Sequence, residues 1–184
     1  TPKGAMIDVE NPATREIFAR VPDGTPEEVD AAVATAQSAF PRWSSTPLAQ
    51  RIALMEGMLR RFCEKTEAVI ELEVAELGAP VAFARSKHCL YQQKRTAAFI
   101  AAARSIAAEE AFPASLVMRE PVGVVAAITP WNYPLGQIIQ KVVPALLMGC
   151  TVVLKPSEWT PLTAVLLIEA FEEAGFPPGV LNLV

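Results

Sequence analysis

The chain has 184 residues, 52% of them hydrophobic and 20% charged, with a mean hydropathy of +0.29. That is the make-up of a globular protein able to bury an ordinary core, one domain and part of another. A net charge of −4, a pI of 5.1 and no basic run longer than Arg60-Arg61 leave no footprint for a phosphate backbone, so nucleic acid is not an expected partner. No stretch of about 18 apolar residues and no charged leader ahead of an apolar core appear, so neither a membrane span nor a targeting segment is expected. The first residue is Thr1 rather than Met, which points to a processed or partial chain.

In chain order, Asp8-Val9-Glu10-Asn11-Pro12-Ala13-Thr14 reads as a surface hairpin. Thr25-Pro26-Glu27-Glu28 is a capping box with proline at the first helical position. Val29, Ala32, Val33, Ala36 and Phe40 follow at helical spacing until Pro41, which is expected to stop the helix. Thr46-Pro47 introduces a second helix carrying Ile52, Met55, Leu59 and Phe62. Thr66 introduces a third, with Val69, Ile70 and Leu77 ahead of Gly78 and Pro80. An alanine-rich segment from about Val81 to Ala108 has few breakers and reads as a fourth helix.

From Ser115 the period changes. Ser115 to Arg119 alternates weakly, as an edge or bridging strand would. Val122 to Ile128 and Thr151 to Leu154 are nearly continuous β-branched and alanine runs, the pattern of strands buried on both faces. Leu135 to Met148 reads as a helix ended by Gly149 and kinked at Pro144. Thr160-Pro161 opens another helix that closes at Gly175, and Val180 to Val184 begins a third strand. Strand, helix, strand, helix, strand is half of a doubly wound parallel sheet, whose ligands bind at the carboxyl ends of the strands.

The cysteines, Cys63, Cys89 and Cys150, are three in number and unpaired in spacing, and His88 is the single histidine. Neither a disulfide framework nor a metal site is expected. Cys150 reads as a buried structural thiol. Cys89 and His88 are adjacent on a helix and point about 100° apart, which argues against a Cys-His nucleophile.

No GxG motif occurs, so a dinucleotide would not be gripped by a glycine-rich turn. Asn132 nevertheless lies in the turn after the first parallel strand. Lys155 and Glu158 lie just past the second, where a carboxylate is placed to accept the hydroxyls of a ribose. On chemistry alone the latter two read more often as a surface ion pair.

Together, PWN at 130–132 and KPSE at 155–158 resemble the signature region of the NAD(P)-dependent aldehyde dehydrogenase superfamily. The likeness extends over essentially the whole chain, as the amino-terminal portion of proteins more than twice as long. It implies an α/β fold: an amino-terminal helical scaffold, then the first β-α-β-α-β half of a Rossmann-like doubly wound sheet, an incomplete aldehyde dehydrogenase fold. Residues 1–114 would be the helical part of the cofactor-binding domain, 115–121 a bridging strand for oligomers, and 122–184 the first half of the sheet. The catalytic domain would lie outside this stretch.

The resemblance further implies that an aldehyde is oxidised to a carboxylic acid through a cysteine thiohemiacetal, with Asn132 donating to the oxyanion. Lys155 and Glu158 would hold the adenosine ribose, with Ser157 beside them. Ile128, Thr129 and Trp131 would line the cofactor, the alternative for Ile128 and Trp131 being simply packed side chains. The carboxylate of Glu158 favours NAD, and NADP remains open if Glu158 turns aside for Lys155 and Ser157. Tyr133, Gly136, Gln137 and Gln140 share a helix face that in similar proteins lines the substrate tunnel. Two glutamines and a glycine there imply an open, polar tunnel.

The nucleophilic cysteine and general-base glutamate of the resemblance belong beyond Val184, so this stretch alone is not expected to turn over aldehydes. The alternative is a truncated, inactive nucleotide-binding or protein-interaction module. A homodimer or homotetramer is implied for the complete protein, and the absence of a signal or disulfide pattern favours the cytoplasm.

Overall fold

The computed structural model describes residues 5–184. Strands β1 (Met6–Glu10) and β2 (Ile17–Pro22) pair antiparallel, with a register shift at Val9/Glu10. The hairpin is longer than its turn-forming residues suggest. Its loop is closed by Asn11, whose Oδ1 accepts from the backbone of Ala13 and Thr14.

The capping box forms as read. Thr25 Oγ1 accepts from Glu28 N, and Glu28 returns a carboxylate to Thr25 N. Helix α1 (Pro26–Ser44) then runs through Pro41 instead of stopping there. Continuing the helix seats Trp43, which is 2% exposed, and its indole nitrogen donates to Leu146 O at 3.2 Å. Burying an indole outweighs the one backbone bond that proline forfeits.

Helices α2 (Leu48–Glu64) and α3 (Thr66–Leu77) follow, the latter closed by Gly78 at φ +74°. A Cβ at Gly78 would also stand 2.8 Å from Pro12 Cγ, so both backbone and space require glycine. The segment read as one long helix is more complex. It is α4 (Val81–Phe83), a π-helical stretch Ala84–Leu90, and α5 (Tyr91–Ala103), and it ends five residues short of Ala108. Glu109–Phe112 is a strand, β3, hairpinned to β4 (Ser115–Met118). The charged pair Glu109-Glu110 hides its strand character from a hydrophobic period.

Strands β5 (Val124–Ile128), β6 (Thr151–Lys155) and β7 (Leu181–Leu183) form a parallel sheet in that order, joined by α6 (Pro134–Leu147) and α7 (Leu162–Glu173). Strand β6 is buried from Thr151 to Leu154, as its composition requires. Thr151 Oγ1 donates to Ala36 O in α1, whereas Val152 and Leu154 join the core built with α6 and α7. The period of two thus divides β6 between two helical layers.

Strand β5 departs from expectation. Only Ala127 is fully buried, and Ile128 is 68% exposed. Within this chain β5 is a sheet edge with a partner on one side, so an apolar run does not guarantee cover on both faces. It also begins at Val124, leaving Val122 exposed.

Local capping fails to describe α7. Thr160 leads into it, but the hydroxyl makes no hydrogen bond. The cap comes from Glu76 in α3, which accepts from Leu162 N, Thr163 N and Thr163 Oγ1 at 2.8, 3.0 and 2.6 Å. Burial nevertheless pushes the Glu76 carboxyl up to about 7, against the pull of those donors. Because the folded pKa lies above the unfolded value of 4.5, this group stabilises the fold most below pH 4.5 and loses that contribution as pH rises through 7. We expect wild type to lose about 3 kcal/mol relative to Glu76→Gln between pH 4.5 and 8. Paired urea titrations across that range measure it, and a pH-independent difference between the two proteins would refute it.

Candidate active site

Parallel pairing sets Ile128 beside Lys155, so β5 and β6 end level with each other. Thr129 N then donates to Lys155 O at 3.1 Å, extending the ladder one step into the loops. The turn after β5 displays Asn132 to solvent, and among the described residues its side chain makes no hydrogen bond. Pro134 opens α6 at its first turn, and Gln137 N donates to Tyr133 O, which fixes the turn against the helix.

The turn is braced from behind. Tyr133 stacks on His88 with ring centroids 4.7 Å apart and planes within 4°, and Phe83 packs against both. His88 Nδ1 lies 2.9 Å from Glu73 Oε2, both side chains being buried. The contact is close but not aligned as a hydrogen bond. Burial raises the Glu73 pKa, the neighbouring imidazole opposing it.

At the end of β6, Lys155 Nζ lies 3.6 Å from Glu158 Oε2 and donates to Pro156 O. Ser157 Oγ sits 3.5 Å from the same carboxylate and accepts from Trp159 N. The Glu158 carboxyl is held below its ordinary value by its own backbone N–H and by Lys155. A small cavity of about 160 Å³ opens beside Lys155, Ser157 and Glu158, walled by Val21 and Pro22 from β2. Nearby, Thr129 is 4% exposed and its hydroxyl has no partner. Ile128 and Trp131 hold apolar surface open to solvent at 68% and 54% exposure. An exposed acceptor, an exposed ammonium, an unclaimed hydroxyl and bare apolar walls at two strand ends fit a ribose and a flat ring better than they fit a packed interior.

Tyr133, Gly136, Gln137 and Gln140 do share a surface. With Lys87, Tyr91, Gln92 and Arg95 they line a groove of about 490 Å³. Gly136 does not leave empty space: a Cβ there would meet Gln92 Nε2 at 3.2 Å, so the glycine admits another amide. Gln140 donates to Gly136 O, and Gln137 accepts from Lys141. The opposite wall went unread in the sequence, although Lys87, Tyr91 and Arg95 recur every four residues and thus form a helical stripe.

No cysteine of the chain can serve as a nucleophile at this place. Cys89 and Cys150 are buried, and burial pushes the Cys89 thiol up to about 11. Cys63 is exposed on α2, no residue of which lines the groove, and partial desolvation of its sulfur raises its pKa. Among the described residues no group of His, Cys, Asp and Glu is arranged to hold a metal ion. A native thiol titration should find one promptly reacting cysteine of the three, and the Cys63→Ser variant none. Prompt reaction of a second thiol would contradict the packing.

The chain was compared with known proteins. The aldehyde dehydrogenase family matches over residues 1–184. A 3-succinoylsemialdehyde-pyridine dehydrogenase from a Pseudomonas species is 45% identical over 187 residues, covering 100% of this chain and 39% of the relative. A crystal structure of a Pseudomonas syringae aldehyde dehydrogenase variant with NAD+ and octanal superposes with a TM-score of 0.97 at 39% identity, over 100% of this chain and 38% of that one. A Mycobacterium tuberculosis aldehyde dehydrogenase complexed with NAD+ gives 0.96 at 40% identity, over 100% and 40%. This chain therefore spans about two-fifths of the length of the proteins it matches, and it belongs to the aldehyde dehydrogenase family.

Proposed function

We propose that the whole protein oxidises aldehydes to carboxylic acids with NAD+, and that this chain contributes the oxyanion donor and part of the cofactor site. The observation that carries the proposal is Asn132: an amide with no competing partner, held in a braced turn at the carboxyl end of a parallel strand. Bound NAD+ would supply the acceptor for the hydride lost from the aldehyde carbon. Asn132 Nδ2 donates to the aldehyde oxygen as a thiolate adds to the carbonyl, where charge grows on that oxygen. The thiolate and the base that activates water come from the rest of the protein. Glu158 accepts from the ribose hydroxyls, Lys155 donates to them, and Ser157 holds the Glu158 carboxylate. Ile128, Thr129 and Trp131 border the nucleotide.

Because Glu158 is held ionised, it repels a 2′-phosphate, which supports NAD over NADP. Assembly through the β3–β4 hairpin is supported by the exposed Phe112, Leu116, Val117 and Met118. It accords with a homodimer or homotetramer and with a bridging role for 115–121 between the helical part, 1–114, and the half-sheet, 122–184. No described helix is long and apolar enough to cross a membrane, and three free thiols accord with a reducing, cytoplasmic setting.

The test is NADH formation by the whole protein presented with simple aldehydes and each nucleotide. Turnover with NAD+ exceeding that with NADP+ is expected. No nucleotide reduction with any aldehyde would end the proposal.

A further inference from the structure

The groove beside Asn132 carries a charge pattern that aldehyde oxidation does not require. Two of its wall residues are cations, Lys87 and Arg95, and none is acidic. Neither cation is engaged by a carboxylate among the described residues. Lys87 has no ion pair, and Arg95 donates only to Gln92 Oε1 at 3.2 Å while lying over the Tyr91 ring at 4.8 Å. Of the other basic side chains, Arg15, Arg20, Arg61, Lys65, Arg85, Arg104, Arg119 and Lys155 face carboxylates within 4.0 Å, whereas Arg42, Arg60 and Lys94 make no ion pair among the described residues. What distinguishes Lys87 and Arg95 is that both face one groove without an acidic wall residue, in a protein of net charge −4.

The remaining surroundings keep the charge available. Behind the wall residue Tyr133, Glu73 is buried against His88 and biased by burial toward its neutral form. From α6, Lys141 adds a third cation, which donates to the Oε1 of Gln137, a wall residue. Gln92 and Gln140 present side-chain amides on the same surface, and both have donors tied to backbone carbonyls, so their positions are set before any ligand arrives. Tyr133 joins the groove to the Asn132 turn. A substrate whose carbonyl oxygen meets Asn132 would therefore run its tail between Lys87 and Arg95.

We propose that this groove selects aldehydes bearing an anionic group at the far end, with a carboxylate as the group recognised by Lys87 and Arg95. The proposal rests on the aldehyde-oxidising reading above and narrows its substrate. Arg95 supplies a planar fork suited to two carboxylate oxygens, already oriented by the Tyr91 ring, and Lys87 supplies a compact point charge.

The whole protein is assayed with matched pairs, an n-alkanal against the ω-oxo acid of the same chain length, over about four to nine carbons, with an aldehyde phosphate as a third arm. At the best length, kcat/KM for the oxo acid is expected to exceed that for the alkanal by at least about tenfold, mostly through KM, since a charge-assisted contact at that distance from the carbonyl is uniform binding. Lys87→Met or Arg95→Gln should each lower that ratio about tenfold, and Lys87→Glu should invert it. Both side chains face the groove rather than the core, and circular dichroism checks that each variant folds.

Equal use of both members of every pair overturns the proposal while leaving aldehyde oxidation intact. Preference for the aldehyde phosphate without preference for the oxo acid overturns the carboxylate assignment. Failure to oxidise any aldehyde overturns the broader reading instead.

Discussion

Asn132→Ala in the whole protein is expected to lower kcat by about 10²–10³-fold, corresponding to about 3–4 kcal/mol of transition-state stabilisation. The size follows from what the side chain does otherwise, which is nothing: it is exposed and makes no hydrogen bond among the described residues. Removing it should therefore leave the thermal midpoint within about 1 °C, since exposed substitutions away from caps and cores lie within ~0.5 kcal/mol. An interaction that strengthens only as charge develops lowers kcat and kcat/KM together. Retained kcat with an intact fold would remove Asn132 from the proposed role.

Trp43→Ala is expected to destabilise the chain by about 3–5 kcal/mol, or roughly 10 °C in the thermal midpoint. The indole is buried, donates to Leu146 O at the end of α6, and packs on Phe176 with centroids 5.6 Å apart. It thereby ties the last turn of α1 to the crossover helix and to the loop before β7. Trp43→Phe separates packing from polarity, and should lose about 1 kcal/mol for the lost hydrogen bond, since Leu146 O keeps its bond from Gly149 N. Chemical denaturation of both variants measures this, and a loss below ~1 kcal/mol in the alanine variant would mean that the extension of α1 past Pro41 has another cause.

The parts of the fold that the residues disclosed were those decided locally. Thr25 and Glu28 cap each other three residues apart, and Gly149 and Gly175 stand at positive φ just beyond helices that need such a stop. β6 is surrounded by helices, so its composition and its burial agree. The readings that failed were decided elsewhere in space. Pro41 yields to a partner in α6, and α7 takes its cap from Glu76 in α3 rather than from Thr160. β5 reads as interior but has one neighbour strand. The same division holds at the site. Asn132 was legible as a loop residue just past β5, and Lys155 with Glu158 as neighbours at the end of β6. Lys87 and Arg95 come to α6 only through packing of the π-helical stretch and α5 on α6, and Gln92 only because Gly136 leaves it room.

The π-helical stretch at Ala84–Leu90 holds Lys87, which faces the groove, alongside His88 and Cys89, which face inward. Such a turn accommodates one more residue than an α-helix would, and each residue in a regular helix advances about 100°. α5 cannot rotate freely, because Thr96, Ile100 and Ala103 are buried. Losing one residue from this stretch would therefore swing the preceding side chains around the axis and present a different neighbour of Lys87 to the groove. Specificity in this wall can thus diverge among descendants by a single-codon insertion or deletion, with every groove-facing residue of α5 and α6 left in place.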